Sequence, residues 1–290
     1  MYDLKAVPSL DVYVPSTVHE LLEILREKSP KAVIYAGGTD LMPMMKRGKI
    51  RPEAVVDISG LTELNYIRHE DGAYRVGGLT TIQDFATSPL IPEKFFSIKW
   101  LTKYFGAETT RNMATVGGNV VSGGERDVPA ILTSLDGRVK IVGPQGERLN
   151  EPLDINLGHG EIVTELVFRD WGPRSVSWFS KFEKRASNGI GVVTAAIALK
   201  CVDDRVEKAR IVLNRVQGKT MGRIPSLEEE LVDRRLNPIY LRDTVEKHVA
   251  SIKPAGDFRA SSEFRKHVSK VLIVRGLEFC WNYLSGAGAK

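Results

Sequence analysis

Two pairs of adjacent glycines, each flanked by polar residues, are the positions of this sequence best suited to hold an anionic ligand. The first pair lies in Ala36-Gly37-Gly38-Thr39-Asp40-Leu41, directly after an apolar run, and the second in Thr115-Val116-Gly117-Gly118-Asn119. A chain that turns at paired glycines has no Cβ over its backbone N–H groups, so a diphosphate can approach closely. Threonine and asparagine add neutral donors. The two motifs therefore predict one anion held from two sides, and ordinary tight turns are the alternative explanation.

Asp127 and Lys181 are two further polar residues placed to meet a ligand. Asp127 follows the second glycine motif and could accept a hydrogen bond from a heterocycle N–H. It could equally cap a helix that begins at Val128-Pro129, because proline is favoured at the first helical position. Lys181 alternates with aromatic residues and could direct a cation at a ligand or face solvent. The sequence leaves both alternatives open.

The sequence lacks the residues that several other kinds of functional site require. The five histidines show no metal-ligand spacing, and the two cysteines, Cys201 and Cys280, cannot hold a zinc ion or an iron–sulfur cluster between them. No GxSxG elbow surrounds Ser122, which argues against a hydrolase triad. No GxGxxG opens a helix after a strand, which argues against a Rossmann domain.

The composition is that of a globular protein with two or three small domains. The chain has 290 residues, of which 42% are hydrophobic and 27% are charged. The net charge is +5, but acidic residues accompany the basic ones, so an acidic protein partner is favoured over nucleic acid. No apolar run is long enough to span a bilayer, and the N-terminus lacks a secretory signal pattern. We therefore expect a cytoplasmic protein.

The pattern of elements divides the chain into three regions. Thr17 and Glu20 form a capping-box sequence, which predicts a helix over 17–28. Glu70-Asp71-Gly72 predicts a hairpin between short β-type runs. The other expected elements are strands at 31–35, 54–58, 139–142, 162–168, 192–201 and 206–216, helices at 42–49, from Ile82 and at 129–135, and a helical stretch over 225–285. The predicted regions are 1–55, 56–175 and 176–290.

The chain resembles the FAD-binding (medium) subunits of molybdenum hydroxylases, which include carbon monoxide dehydrogenase, xanthine dehydrogenase, aldehyde oxidoreductases and 4-hydroxybenzoyl-CoA reductase. The likeness spans essentially the whole chain, in order. It is carried by these segments: Tyr35 to Leu41, Arg111 to Asn119, Val76 to Thr81, Asp127 to Pro129, Lys184 to Ile190, Phe264 to Lys266 and Val271 to Arg275. The two glycine motifs together are specific, whereas either alone is not.

The resemblance implies an α+β fold. Two subdomains of the PCMH/vanillyl-alcohol-oxidase-like type would hold FAD between them, and a C-terminal α+β domain with antiparallel strands and a helical bundle would follow. Both glycine motifs would hold the diphosphate, Phe105 or Gly106 would lie near the cofactor, and Ile162 or Val163 would touch the ring. Asp127 would lie by the isoalloxazine or ribityl group, and Lys181 would approach the flavin. The implied cofactor-binding residues are Ala36, Gly37, Gly38, Thr39, Asp40, Leu41, Thr80, Phe105, Gly106, Thr115, Gly117, Gly118, Asn119, Asp127, Ile162, Val163 and Lys181.

The resemblance also implies a role in a larger oxidoreductase. Substrate would be oxidised at a molybdopterin cofactor on a large subunit, and electrons would pass through [2Fe–2S] clusters on a small subunit to FAD on this chain. An external acceptor would then take them, with NAD, quinone, ferredoxin and oxygen all left open. The assembly would be a heterotrimer or a dimer of heterotrimers. No catalytic acid or base is expected on this chain, and it is not expected to turn over substrate alone.

The sequence departs from the family pattern at two places, and it leaves two other functions open. The segment 120–126 is one residue shorter than is usual, so the alignment of Asp127 depends on it, and Gly189 stands where aspartate is common. A stand-alone flavoprotein oxidoreductase with the same fold is one alternative, and a non-catalytic nucleotide-binding module is another. The aromatic residues that could meet a partner or pack in the core are Phe95, Phe96, Trp100, Tyr104, Trp178 and Phe179.

Overall fold

The computed structural model describes residues 9–185, 191–214 and 221–286, and a small parallel sheet organises their N-terminal part. Its strands are β1 (Asp11–Tyr13), β2 (Ala32–Tyr35) and β3 (Ala54–Asp57), in the order β1-β3-β2. Helix α1 (Val18–Lys28) connects β1 to β2, and α2 (Leu41–Lys46) connects β2 to β3. This is the β–α–β unit that the sequence predicts.

The N-terminus of α1 shows how local sequence sets an element. The hydroxyl of Thr17 accepts a hydrogen bond from the N–H of Glu20 at 3.1 Å, as the capping box predicts. The reciprocal bond differs from the prediction, because Glu20 accepts from the backbone N–H and the hydroxyl of Ser16, both at 2.7 Å. Its side chain therefore reaches one residue further back, where Ser16 offers two donors in place of one.

A second, antiparallel sheet follows, with strand order β4-β5-β8-β6-β7. Its strands are β4 (Ile67–Glu70), β5 (Ala73–Gly77), β6 (Arg138–Gly143), β7 (Gly146–Asn150) and β8 (Ile162–Arg169). Asp71 and Gly72 have φ of 52° and 69°, so the predicted hairpin closes through a turn that favours these residue types. Short helices lie between β5 and β6: α3 (Ile82–Thr87), α4 (Phe96–Lys99), α5 (Leu101–Tyr104), α6 (Glu108–Arg111), α7 (Val116–Val121) and α8 (Asp127–Ser134).

The third sheet is antiparallel and is covered by the C-terminal helices. Its order is β12-β11-β10-β9, with β9 (Ser175–Glu183), β10 (Gly191–Val202), β11 (Arg205–Asn214) and β12 (Met221–Arg223). The helices are α9 (Pro225–Leu231), α10 (Pro238–Ala250) and α11 (Ser262–Leu284). A Cβ on Gly276 would lie 2.5 Å from the ring of Trp178, so glycine lets α11 pack closely on the sheet. The predicted α+β class is confirmed.

Helix α8 joins the second and third sheets into one packed unit. All eight of its residues are buried, and it contacts both β10 and β11. The core that contains α8 also takes in Phe179 and Ala196 from the third sheet. The first residue of α8 is Asp127, one of the residues that the resemblance implies would meet the cofactor.

The aromatic residues pack inside the molecule. Phe95, Trp178 and Phe179 are buried, and Phe96 and Trp100 pack edge-on against Phe279 of α11. Tyr104 is partly buried, packs against the main core and contacts the ring of Phe179 edge-on. Core packing is therefore the role that the structure supports for this group.

The division into 1–55, 56–175 and 176–290 stays a prediction. Strand β3 extends to Asp57 and pairs with β1 and β2, so a boundary after this residue would keep the first sheet whole. Strand β9 begins at Ser175. Gly189, Ile190 and the predicted end of a strand at 215–216 lie outside the described residues.

Candidate functional site

A cleft lies where the first and second sheets meet, and it collects most of the residues implied by the sequence. Its volume is about 360 Å³. The implied residues that line it are Ala36, Gly37, Gly38, Thr39, Asp40, Leu41, Phe105, Thr115, Gly117, Gly118, Asn119, Ile162 and Val163. Ile34, Met44, Ile50, Ile58, Leu79, Leu157 and Ser122 are among the residues that complete its walls. The two glycine motifs thus face one space, although they are far apart in the sequence.

The first glycine motif is a loop with open donors. Within the described chain, the backbone N–H groups from Gly37 to Leu41 have no hydrogen-bond acceptor. Gly38 has a φ of +65°, and a Cβ on Gly37 would lie 1.8 Å from the carbonyl oxygen of Met113. Glycine is therefore needed at both positions to shape the loop. Successive unpaired N–H groups on a cleft wall form a site for an anion.

The second glycine motif has a different geometry from the one that the sequence predicts. Gly117 and Gly118 lie in the first turn of α7, with Thr115 as the N-cap, rather than in a turn after a strand. The N–H of Gly117 donates to Gly78 O at 2.9 Å, and that of Gly118 donates to Thr115 Oγ1 at 3.1 Å. The expectation that this motif exposes free N–H groups is wrong, because the helix cap and Gly78 already accept from them.

Gly118 nevertheless keeps the wall of the cleft open. The sole neighbour within 4 Å of a Cβ built on Gly118 is Thr115 Oγ1, at 2.8 Å, among the described residues. The position lines the cleft, so a side chain there would extend into it. The absence of a side chain, rather than the presence of a donor, is what this glycine contributes.

Asn119 supplies the neutral donor that the sequence predicts. Its Oδ1 accepts from the N–H of Val128 at 3.1 Å, which fixes the orientation of the amide. The Nδ2 group has no acceptor in the part of the chain that the structure describes. Because Asn119 is buried and lines the cleft, this NH₂ is available to a ligand.

Asp40 carries a carboxylate in the anion-binding loop, and two residues hold it. Ser122 Oγ donates to Asp40 Oδ2 at 2.9 Å, and an Arg126 guanidinium nitrogen lies 3.2 Å from the same oxygen. Arg126 therefore balances a charge that would otherwise repel an anion. Sequence reasoning did not assign a role to Ser122 or Arg126. The unusual length of segment 120–126 was the one available signal.

A smaller polar cavity adjoins the cleft and shares Phe105 and Asn119 with it. Its volume is about 170 Å³. Its other lining residues are Gly106, Glu125, Arg126, Asp127, Lys181, Gly191 and Thr194. Three of the residues implied by the resemblance, Gly106, Asp127 and Lys181, therefore lie here and not in the cleft itself.

An ion pair between α8 and β9 occupies this polar cavity. Lys181 Nζ lies 2.9 Å from Asp127 Oδ2. Burial raises the pKa of Asp127, while the attraction and hydrogen bond of Lys181 oppose that rise. Arg126, not Asp127, is the N-cap of α8, so the capping interpretation of Asp127 is wrong. The solvent-facing interpretation of Lys181 is also wrong, because its side chain is buried in this pair.

Ile162, Val163 and Thr80 are the last of the implied cofactor-binding residues. Ile162 and Val163 are buried at the start of β8 and face the cleft. Neighbouring residues on a strand point to opposite faces, and Val163 packs in the core that contains α8 while Ile162 packs in the core of the first sheet. Both are apolar, which suits an aromatic ring. Thr80 lines neither cavity: its hydroxyl donates to Tyr66 O at 2.9 Å, and its carbonyl accepts from Val116 N–H.

The arrangement fits the FAD that the resemblance implies. An anion loop, a wall opened by Gly118, a free amide donor and an apolar wall lie along one cleft. Among residues 9–185, 191–214 and 221–286, no group of His, Cys, Asp and Glu is arranged to hold a metal ion. Over the same ranges, no helix has the length and apolar character to cross a bilayer.

Comparison with known proteins gives matches along nearly the whole chain. Residues 8–166 match the family model of the FAD binding domain in molybdopterin dehydrogenase, and residues 178–279 match that of the CO dehydrogenase flavoprotein C-terminal domain. The glyceraldehyde dehydrogenase medium chain of Sulfolobus acidocaldarius is 28% identical over 281 residues, which cover 93% of this chain and 98% of that one. The nicotinate dehydrogenase FAD-subunit of Eubacterium barkeri is 31% identical over 67% of this chain and 69% of its own.

A solved structure extends the similarity to the fold. Reconstituted CO dehydrogenase from Oligotropha carboxidovorans contains a chain that superposes with a TM-score of 0.87 at 25% identity. The match covers 95% of this chain and 99% of that chain.

Proposed function

The chain belongs to the family of FAD binding domains in molybdopterin dehydrogenases, and from that premise we propose that it carries FAD in the cleft between its first and second sheets. The observation that carries this assignment is the loop from Gly37 to Leu41, whose backbone N–H groups line the cleft without an acceptor in the described chain. A diphosphate supplies the acceptors that this loop lacks.

Each part of the cleft takes one part of the cofactor in this proposal. The loop Ala36–Leu41 binds the diphosphate through its N–H groups, and Asn119 adds its amide donor. The residues Thr115 to Gly118 form the opposite wall. Ile162 and Val163 pack on the isoalloxazine ring and exclude water from it, with Phe105 and Gly106 close by.

Asp127 and Lys181 meet the polar edge of the flavin in this assignment. They lie in the polar cavity that shares Phe105 and Asn119 with the cleft. Thr80 contributes indirectly, because its carbonyl accepts from Val116 N–H and so holds α7 in place. The cofactor supplies the electron exchange when it is bound, while these residues bind it, orient it and set its surroundings.

We propose further that the chain is the electron-exit subunit of a larger oxidoreductase. Relatives are named as a medium chain or an FAD-subunit, and such names belong to proteins with other chains. Substrate would be oxidised at a molybdopterin site on a large subunit, and [2Fe–2S] clusters on a small subunit would deliver the electrons. This chain would pass them to an external acceptor. The assembly would be a heterotrimer or a dimer of heterotrimers.

The first experiment is an absorption spectrum of the isolated chain with identification of the released cofactor by mass. Bound FAD without iron or molybdenum is the expected result. A colourless chain that also fails to take up added FAD would contradict the assignment of the cleft.

Two further results would favour other functions. Turnover of a defined organic substrate by the isolated chain would indicate a stand-alone flavoprotein oxidoreductase. FAD that binds but accepts no electrons from a reduced iron–sulfur donor would indicate a non-catalytic nucleotide-binding module. Reduction by such a donor, without turnover alone, is what the electron-exit role predicts.

A further inference from the structure

Strand β9 brings a third charged side chain to the pair formed by Asp127 and Lys181. Side chains two residues apart on a strand share a face, so Glu183 lies on the same side as Lys181 while Phe182 points outward. Lys181 Nζ lies 2.9 Å from Asp127 Oδ2 and 3.2 Å from Glu183 Oε1. The side chains of Asp127, Lys181 and Glu183 are 9%, 8% and 10% exposed. We call these three residues the buried triad.

The buried triad does not balance its own charge. Two carboxylates and one ammonium group leave one excess negative charge when all three are ionised. Glu183 Oε1 is buried and accepts no hydrogen bond within the described chain, although Lys181 is close enough for an ion pair. An uncompensated buried charge is costly, so the triad has an increased tendency to bind a proton, and further negative charge nearby would increase that tendency again. In agreement, burial raises the pKa of Asp127, and the charge of Glu183 adds to that rise.

The charged residues that line the cavity beside the triad, within the described part of the chain, are Arg126 and Glu125, and each has another partner. Arg126 lowers the pKa of Asp127, but its guanidinium is engaged by Asp40. Glu125 accepts from Asn214 at 2.8 Å and pairs with Arg259 at 3.3 Å. From β10, the cavity receives the uncharged Gly191 and Thr194, and its remaining lining residues Phe105, Gly106 and Asn119 are also uncharged.

We propose that the buried triad binds one exchangeable proton that compensates charge arriving on the bound FAD, with Glu183 acting as a positioning residue through Lys181. This inference rests on the proposed function. The triad alternates between a form with one net negative charge and a neutral, protonated form. Nothing in the resemblance gives a role to Glu183.

The charge balance of one cycle follows from this proposal. Two electrons delivered by two one-electron [2Fe–2S] donors add two negative charges to the site. Bound FAD would itself account for one proton from water, which cancels one charge, and the triad takes the second proton from water and so cancels the other. When the acceptor removes both electrons, both protons return to water, so atoms and charge balance.

The midpoint potential of bound FAD against pH tests the proposal on the full chain. Glu183→Gln removes one carboxylate. The remaining Asp127–Lys181 pair is neutral, so it carries no excess negative charge for a proton to compensate. We expect the slope of potential against pH to fall by about 30 mV per pH unit, which is one proton per two electrons. Glu93→Gln, at an exposed carboxylate without a charged partner in the described chain, is the matched control and should leave the slope unchanged. An unchanged slope in a Glu183→Gln chain that still binds FAD would overturn the proposal.

An infrared titration of the FAD-free chain separates this inference from the proposed function. A carboxyl band should titrate above the ordinary range for aspartate, about pH 3.9. It should vanish in Asp127→Asn and move to lower pH in Glu183→Gln. If no such band exists, the triad binds no extra proton, whether or not the chain binds FAD. If the band exists in a chain that takes up no FAD, the result supports proton binding by the triad and contradicts FAD binding in the cleft.

Discussion

The backbone N–H of Gly117 donates to the carbonyl oxygen of Gly78 at 2.9 Å, and a Cβ on Gly117 would lie 2.7 Å from that same oxygen. Helix α7 therefore packs directly on the chain that follows β5, with no room for a side chain. Gly118 is next to it in sequence and lines the cleft, and a Cβ there would meet only Thr115 Oγ1 within 4 Å among the described residues. One motif thus contains a glycine for close packing and a glycine for an open ligand site.

Alanine substitutions should separate these two roles. Gly117→Ala forces the backbone apart and should lower the free energy of unfolding by about 1–3 kcal/mol, the usual cost of overpacking. Gly118→Ala should change it by less than about 1 kcal/mol, since alanine favours a helix while Thr115 must shift. Its affinity for FAD should nevertheless fall at least tenfold. Urea unfolding of the FAD-free chain and FAD titration measure the two effects.

Gly60→Ala is the control for these glycine substitutions, because a Cβ there meets nothing within 4 Å among the described residues. It should leave stability and FAD affinity unchanged. Wild-type FAD affinity in Gly118→Ala would contradict the position of the ligand.

Asn119→Asp should weaken FAD binding without loosening α8. The aspartate can still accept from Val128 N–H, so the contact that orients the side chain is kept. It replaces the free NH₂ by a carboxylate oxygen, which repels the diphosphate. We expect at least a tenfold loss of affinity, or about 1.4 kcal/mol, measured by fluorescence titration with FAD. An equal affinity of the two proteins would show that the amide donor does not contact the cofactor.

Arg126→Gln should lower FAD affinity through Asp40. Without its guanidinium, the Asp40 carboxylate is left uncompensated in the anion-binding loop. Because the pair is partly exposed, the loss should be roughly threefold to tenfold, or about 1 kcal/mol, and smaller at high salt. Adding Asp40→Asn should restore most of the affinity, since the repelling charge is then gone. A double variant that binds no better than Arg126→Gln would mean that Arg126 acts by another route.

Asp136→Asn should lower stability at neutral pH but not in acid. Burial alone would raise the pKa of Asp136, but hydrogen bonds from Lys208 and Arg210, at 2.5 Å and 2.6 Å, outweigh it and hold the pKa below its usual value. A lowered folded-state pKa contributes stability above the unfolded value, about 3.9, and that stability is lost as pH falls through the folded value. We expect a loss of about 1–3 kcal/mol at pH 7 that shrinks as pH falls below the unfolded value and disappears only below the lower folded-state value.

Asp203→Asn is the matched control for the pH prediction. Asp203 also has a positive φ, 47°, but it is exposed and has no ion pair within the described residues. Urea unfolding from pH 7 into acid should show no change for this variant. A stability loss in Asp136→Asn that persists in acid would indicate a packing effect rather than an ionic one.

Local sequence predicted the elements whose causes are local. Thr17 caps α1, and Asp71 with Gly72 turns the hairpin, because these preferences depend on neighbouring residues alone. The first glycine motif was also predicted as a ligand loop. The form of the second motif was not, because Thr115 and Gly78 together convert it into a capped helix turn. Gly78 reaches it only through tertiary packing.

Sequence patterns could not predict the charged pairs of the site. Asp40 with Arg126, and Asp127 with Lys181, join positions far apart in sequence, and the folded sheets alone bring them together. The family resemblance placed Asp127 and Lys181 near a flavin. It did not show that they bind each other, or that Glu183 joins them.

The contact between Gly37 and the carbonyl of Met113 has a consequence for biosynthesis. The cleft has one wall from the first sheet and one from α7, so a nascent chain that ends before Met113 has no cofactor site. Contacts between distant segments form late, because the entropy of closing a long loop is lost first. Because Ile162 and Val163 also line the cleft, the proposed cofactor could meet all of its walls only after translation has passed β8.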